Sequence, residues 1–538
     1  MPTTAQMTGG APEIEGGVRQ RFLFWACFAA LVTTSFAFIV RALILDDLGR
    51  EFNLSQTQKG EIFGVGLWPF ALSIVLFSLV IDKIGYGKAM VFAFVCHVAS
   101  VIITVCTPLV GPGKGGSEEA AYWMLYVGNF VVALGNGTVE AVINPVVATM
   151  FSREKTKWLN ILHAGWPGGL VLGGVLAIGM GKAYWGWKVC LILIPAAIYG
   201  LMMLKRKFPV QERVKAGVPY REMLQEAGVL GALIVVTLMV MEVGRVFNWS
   251  MKTQLIVGGI LVLGFGAYVL SPGRLMFIFL VLVMMPLAIT ELGTDGWITE
   301  LMTPEMERLN LHPGWVLVYT SFIMMVLRFF AGPIVHKLSP LGLLAVCSLV
   351  AAIGLVSLSI STGVMILVAA TLYGFGKTFF WPTMLGVVSE RFPKGGALTL
   401  NAISGVGMLS VGVIGLALLG NIQDRGVDRR LKNEEPAVHE KLVWTEKTSL
   451  IGEYRAIDRE KLDRLTDQER AVLERVDAEV KKGALSWVAI FPVFMLVCYL
   501  GLIRYFRARG GYRAEVLQRQ GARDEKGTGG TVGLLGGG

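Results

Sequence analysis

The chain has 538 residues, of which 54% are hydrophobic and 16% charged, and its mean hydropathy is +0.61. Soluble globular chains carry about 25% charged residues, so this composition excludes a soluble domain and places the protein in a bilayer. The formal net charge of +10 does not point to nucleic acid either, because the basic residues cluster in alternate short loops, as membrane orientation requires.

A helix needs about 20 mostly apolar residues to span a bilayer. Twelve segments meet that standard, at roughly 22–45, 61–81, 88–110, 121–150, 158–181, 185–204, 274–298, 315–335, 341–361, 363–388, 397–420 and 485–505. Two more, about 228–247 and 253–271, fall between the sixth and the seventh. The expected fold is an all-α membrane protein with fourteen spans, arranged six, two and six. The predicted organisation is a tail (1–21), a first six-helix half (22–204), a linker with two extra helices (205–273), a second half (274–505) and a second tail (506–538). The first segment is longer than a signal-peptide core and lacks a small-residue cleavage pattern, so it is expected to stay as a helix. The basic stretches "VRQR", "DKIGYGK", "SREKTK" and "KRKFPVQERVK" put both termini in the cytoplasm, and the plasma (inner) membrane is the expected location.

The six cysteines all fall in apolar segments without metal-ligand spacing. Neither a disulfide framework nor a metal or other cofactor is expected. The loop 421–484 is highly charged with acids and bases nearly balanced, and "DREKLDRLTDQERAVLERVDAEVKK" has the i,i+4 charge spacing of a solvated helix.

A weak internal repeat runs through the chain. A shift of 254 places "DKIGYG" on "HKLSPLG" and Arg41 on Asp295, and a shift of 237 places Asn144 and Pro145 on Trp381 and Pro382 and Glu140 on Lys377. Each half then carries one acid and one base at related depths. An ionised group at a helix centre costs at least about 2.5 to 3.5 kcal/mol, so such residues face one another or a water-filled cavity. The matched pattern predicts a central polar cavity between the halves, with Glu140 opposed by Lys377.

Helical spacing extends this lining. Asn136, Glu140 and Asn144 form an i, i+4, i+8 stripe, as do Tyr373, Lys377 and Trp381. Glu291 and Asp295 repeat the i,i+4 relation, and "LNILHAGWPGG" brings Asn160, His163 and Pro167 close to one face, with Trp166 beside them. The aromatics Trp166, Trp381 and Tyr373 suit stacking on a ring. Arg328 reads as a scaffold residue near the cytoplasmic end of its helix, Glu242 and Arg245 as a local pair, and His97 as packing.

The two six-helix repeats, with Asp82, Lys83, Gly85, Tyr86 and Lys88 in the loop after the second helix, resemble the major facilitator superfamily, in which this loop gates the transport cycle. The loop opens with Ser78 where the family usually has glycine, and His336 stands in place of the second-half acid. Within that superfamily, "GNGTVEAVINP" followed by a polar, glycine-rich fifth helix is similar to the fucose and glucose permease group of sugar:proton symporters. The resemblance implies a monomeric secondary transporter for a small polar solute such as a sugar, working by alternating access with a proton as coupling ion. Glu140 would then contact solute or proton. Arg41 departs from that group, which has a carboxylate in the first helix, and with Lys377 and His163 it favours an organic anion or sugar acid as the alternative solute. An enzyme is not expected, since no metal set or nucleophile motif occurs at membrane depth. A non-transporting sensor or partner protein is the alternative of another class.

Overall fold

The computed structural model describes residues 17–517 apart from 296–297, 299–302, 304–305, 309, 450–451, 459–461 and 463–464. The outer parts of both expected tails, 1–16 and 518–538, lie outside the described residues. Twelve helices are long and apolar enough to cross a membrane among the described residues, and a bent pair makes up to thirteen. They are α1 (Val18–Glu51), α2 (Gln58–Ile84), α3 (Tyr86–Leu109), α4 (Glu118–Met150), α5 (Lys155–Gly179), α6 (Trp185–Met203), α7 (Tyr220–Val246), α8 (Met251–Val269) and α9 (Leu275–Gly293), then the bent pair α10 (Trp315–Phe329 with Ala331–Leu338) and α11 (Pro340–Ile360). A broken helix, α12, follows as Met365–Lys377 and Phe380–Arg391. The last two are α13 (Pro393–Glu434) and α14 (Asp467–Arg507). With α12 included, the order matches the expected six, two and six.

Local sequence explains where these helices start and bend. Ser55 and Gln58 form a capping box ahead of α2, and Ser117 accepts from the Ala120 N–H while Glu118 and Glu119 occupy the first turn of α4, where carboxylates meet the positive end of the helix dipole. Gly85 sits at φ +88°, a left-handed turn that lets α2 and α3 reverse within one residue. Proline interrupts hydrogen bonding inside α4 at Pro145 and inside α9 at Pro286, and α9 ends in a wide π-turn, Ile289–Gly293. A second π-turn, Ser410–Gly415, lies inside α13. The bend in α10 is 64°.

The halves meet along three seams, the first segment of α5 against the second segment of α12, the second half of α5 against α10, and α2 against α13. Of the two inserted helices, α7 packs on α9 and α13, whereas α8 presents Leu255, Ile260 and Leu263 outward and only 6% of its apolar stretch is buried, as a lipid-facing helix requires.

The charged loop departs from expectation in two respects. Helix α13 runs straight into it as far as Glu434, and an antiparallel hairpin, β1 (Trp444–Ser449) and β2 (Gly452–Ile457), precedes the expected charged helix, which starts after the Thr466–Glu469 capping box. Val427, Leu431, Leu442, Leu473 and Val476 form a separate small core there. The polar pattern of this stretch hid a set of apolar positions spread over three elements, too sparse to read as periodicity.

Candidate solute site

Three prolines shape the centre of the molecule. A helical proline lacks the N–H that would bond to the carbonyl four residues earlier, so Pro145, Pro167 and Pro382 leave the carbonyls of Ala141, His163 and Thr378 without helical donors. Side chains supply the missing donors. Asn401 Nδ2 of α13 donates to Ala141 O at 3.1 Å, and Arg328 of α10 donates through Nη1 to His163 O at 2.8 Å and through Nε to Thr378 O at 2.7 Å.

Arg328 therefore sits at a crossing point. Its Nη2 forms an ion pair of 2.8 Å with Glu291 Oε1, and Glu291 Oε2 accepts the Trp381 N–H at 2.9 Å, a donor made available by the break in α12. One guanidinium thus ties α5 of the first half to α9 and α12 of the second. At 1% exposure it is fully buried, and it closes the straight segment Trp315–Phe329 just ahead of the bend.

Beside Arg328 lies a cavity of about 30 Å³, lined by Phe70, Glu140, His163, Trp166, Glu291, Leu292, Arg328, Trp381 and Met408. Glu140 Oε2 accepts from Asn144 Nδ2 at 2.7 Å, and Asn144 Oδ1 lies 2.9 Å from His163 Nε2. Since the amide nitrogen is committed to Glu140, His163 donates to the amide oxygen and its ring is fixed. Glu140, Asn144, His163, Arg328 and Glu291 are thus one buried group, with two carboxylates and one guanidinium facing the cavity.

Six expected site residues, Asp295 among them, sit elsewhere. Lys377 does not meet Glu140: it pairs with Asp295, approaches Glu291 O at 3.4 Å and lies 5.6 Å from the Tyr373 ring, all within the second half. Tyr373 is turned the same way, its hydroxyl bonded to Thr290 O and to Thr294. Helix α12 breaks just after Lys377, so Lys377 and Trp381 do not share one continuous face. Arg41 is held in the first half by Asn129 Oδ1 at 2.8 Å and Thr104 Oγ1 at 3.1 Å. Asn136 accepts from His97, 2.9 Å away, whose other ring nitrogen meets Tyr199 OH at 2.8 Å, so His97 belongs to a buried polar chain and is more than packing. Each i,i+4 step turns a helix face by about 40°, so Asn136 and Asn144 point about 80° apart and only the lower part of the stripe reaches the cavity. Asn160 donates to Thr383 Oγ1 at 3.2 Å, outside the cavity.

At the end carrying the 82–88 loop, the halves are closed over one another. Asp82 pairs with Arg213 of the linker, Lys83 lies 5.0 Å from the Tyr220 ring, Tyr86 is buried against Phe208 and Lys88 is exposed. Lys155 bridges Glu212 Oε2 (2.6 Å) and Ser389 O (3.2 Å), and His336 meets Glu154 at 3.1 Å. The Lys157 ammonium beside Glu154, with His336, holds the Glu154 carboxyl below the usual carboxylate range. Gly386 makes room for this closure, since a Cβ there would lie 2.3 Å from Thr156 Oγ1.

Comparison with known proteins agrees with this architecture. Among solved structures, the chain is similar to FucP in the outward conformation (13% identity, 89% of this chain and 99% of that one, TM-score 0.51). It is likewise similar to the proton:xylose symporter XylE bound to 6-bromo-6-deoxy-D-glucose (12%, 89% and 95%, 0.55) and to the human organic anion transporter MFSD10, or TETRAN (11%, 89% and 99%, 0.54). Among curated proteins it is 23% identical over 188 residues to a gentisate transporter of Corynebacterium glutamicum, and 22% over 198 residues to the protein TsgA homolog of Buchnera aphidicola subsp. Schizaphis graminum. These matches take in 34% and 36% of this chain and 40% and 48% of the relatives, less than half the length of either. The family model described as Major Facilitator Superfamily matches residues 25–416. The chain is a multi-pass membrane protein that belongs to the major facilitator superfamily of transporters.

Proposed function

We propose that the protein carries a small organic anion with an apolar or aromatic body across the membrane together with protons, by alternating access around the Arg328 cavity. The observation that carries this reading is the lining itself. Beside one buried guanidinium it offers Phe70, Trp166, Trp381, Leu292 and Met408, and none of its residues is an amide or a simple hydroxyl of the kind a neutral sugar needs. A guanidinium recognises a carboxylate bidentately. The likeness to a gentisate transporter, a carrier named for an aromatic carboxylate, supports the same class of solute.

Charge counting gives the coupling. With both carboxylates ionised the cavity holds a net charge of −1, and a monoanion arriving alone would double it in a region where each added charge costs about 2.5 to 3.5 kcal/mol or more. A monoanion that enters with one proton leaves the count unchanged. A proton on Glu291 frees Arg328 Nη2 for the solute carboxylate, while the two carbonyl bonds keep the side chain aimed, and Glu140 is the second proton acceptor. Rocking of the halves then exposes the loaded site to the other side. In this reading the protein is a monomer in the plasma membrane, with both termini and the 82–88 gate in the cytoplasm.

The test is a thermal-shift screen of purified protein against benzoate, hydroxybenzoates including gentisate, sugar acids, neutral sugars and organic amines at pH 5.5 and 7.5. Stabilisation by aromatic carboxylates, stronger at the lower pH and lost in Arg328→Met/Glu291→Gln, is expected. Stabilisation by neutral sugars or amines instead would overturn the reading.

A further inference from the structure

The nine-residue first segment of α5, Lys155–His163, begins without a side-chain cap of its own, since Glu154 at the capping position makes no capping bond. The cap comes from the other half: Glu390 Oε1, near the end of α12, accepts from Thr156 Oγ1 at 2.5 Å and from the Thr156 N–H at 3.3 Å. A carboxylate there satisfies an otherwise orphaned donor and complements the helix dipole. This bond exists only while the halves are closed at this end.

The second oxygen of the same carboxylate is held from elsewhere. After α14 ends at Arg507 the chain turns at Gly510 and Gly511 and runs back across the end of α12. Tyr512 OH donates to Glu390 Oε2 at 2.8 Å, and the Glu515 N–H donates to Glu390 O at 2.7 Å. Arg391 Nη1 donates to Arg513 O at 2.6 Å, and Glu515 receives Arg274 on both oxygens, at 2.9 and 3.0 Å, with Arg391 3.0 Å away. Tyr512 also packs edge-on to Phe506, 5.4 Å between centroids.

We propose that Tyr512–Glu515 is a strap that positions the Glu390 carboxylate over the start of α5 and so sets how firmly the gate between the halves closes. Tyr512 and Glu515 are positioning residues for the transport cycle; they touch neither the cavity nor the solute. A merely structural tail would rely on the Tyr512 ring against Phe506, which Tyr512→Phe keeps, whereas the strap relies on the hydroxyl, which Tyr512→Phe removes.

The experiment is amide hydrogen exchange on the full chain in lipid nanodiscs without solute, followed over residues 154–158. Tyr512→Phe and Glu515→Gln are each expected to speed exchange there about threefold to tenfold, the range that a weakened helix cap gives. Val516→Ala, an exposed neighbour on the same strap, is expected to leave it unchanged. Wild-type exchange in both variants, or equal acceleration by Val516→Ala, would overturn the proposal. If Glu515→Gln fails to accumulate, Tyr512→Phe decides alone. The outcome does not depend on which solute is carried, so its failure is distinct from failure of the solute reading.

Discussion

Replacing Arg328 by methionine keeps a long apolar stem and removes the guanidinium. Glu291 then keeps only the Trp381 N–H, and an unpaired buried carboxylate destabilises by about 3–5 kcal/mol. The carbonyls of His163 and Thr378 lose their donor as well, and because Pro167 and Pro382 have no N–H to return, each adds about 1–3 kcal/mol. Adding Glu291→Gln removes the first penalty and leaves the second. The expected order of stability is therefore wild type, then Arg328→Met/Glu291→Gln, then Arg328→Met, with about half of the loss recovered in the double variant. Intrinsic tryptophan fluorescence during thermal unfolding in detergent reads this order, and proteoliposome uptake of an aromatic carboxylate reads function. Uptake is expected to stay absent in the double variant, since the solute has lost its cation. A double variant no more stable than the single would refute the ion-pair argument, and one that regains uptake would show that Arg328 only holds the halves together.

Three further outcomes follow from the geometry. Lys377→Met is expected to be destabilising and to be partly rescued by Asp295→Asn, whereas Glu140→Gln should not rescue it; rescue by Glu140→Gln would restore the pairing that the repeat alone implied. Pro382→Ala returns an N–H to Thr378 O in competition with Arg328, so it should weaken solute binding without abolishing folding, as a raised KM at similar melting temperature; an unchanged KM would count against the freed-carbonyl account. The Glu154 carboxyl is held below its ordinary range by Lys157 and His336. Its contribution to gate closure is thus present above the unfolded carboxylate pKa of about 4.3 and is lost only as pH falls through the lower folded value. Gate closure read by amide exchange at 154–158 should not lose this contribution between pH 7.5 and 5.5, and a loss that Glu154→Gln abolishes would contradict it.

The sequence revealed the architecture because apolar segment length and loop charge are one-dimensional signals. It also revealed that charge belongs at the centre, and Glu140, Glu291, His163, Trp166 and Trp381 do line one cavity. What it concealed was direction. Position along a span fixes depth but not azimuth: Arg41 and Lys377 sit at suitable depths and turn into their own halves, towards Asn129 and Asp295. Arg328 was hidden because hydropathy places the helix end near the "FFAGP" stretch, where the chain bends instead. The available signal was Pro167 and Pro382, each of which requires a donor for the carbonyl four residues earlier, together with an arginine elsewhere rich enough in N–H groups to serve both.

Those freed carbonyls have a further consequence. A peptide oxygen accepts no proton in the physiological range, so two of the three bonds made by Arg328 are indifferent to acidity and only the third, to Glu291, can be switched. The guanidinium is anchored on the backbone and addressed through one carboxylate. Loading a proton therefore changes what the arginine can bind without changing where it is, and the energy of protonation goes into selecting a ligand rather than into rebuilding the site.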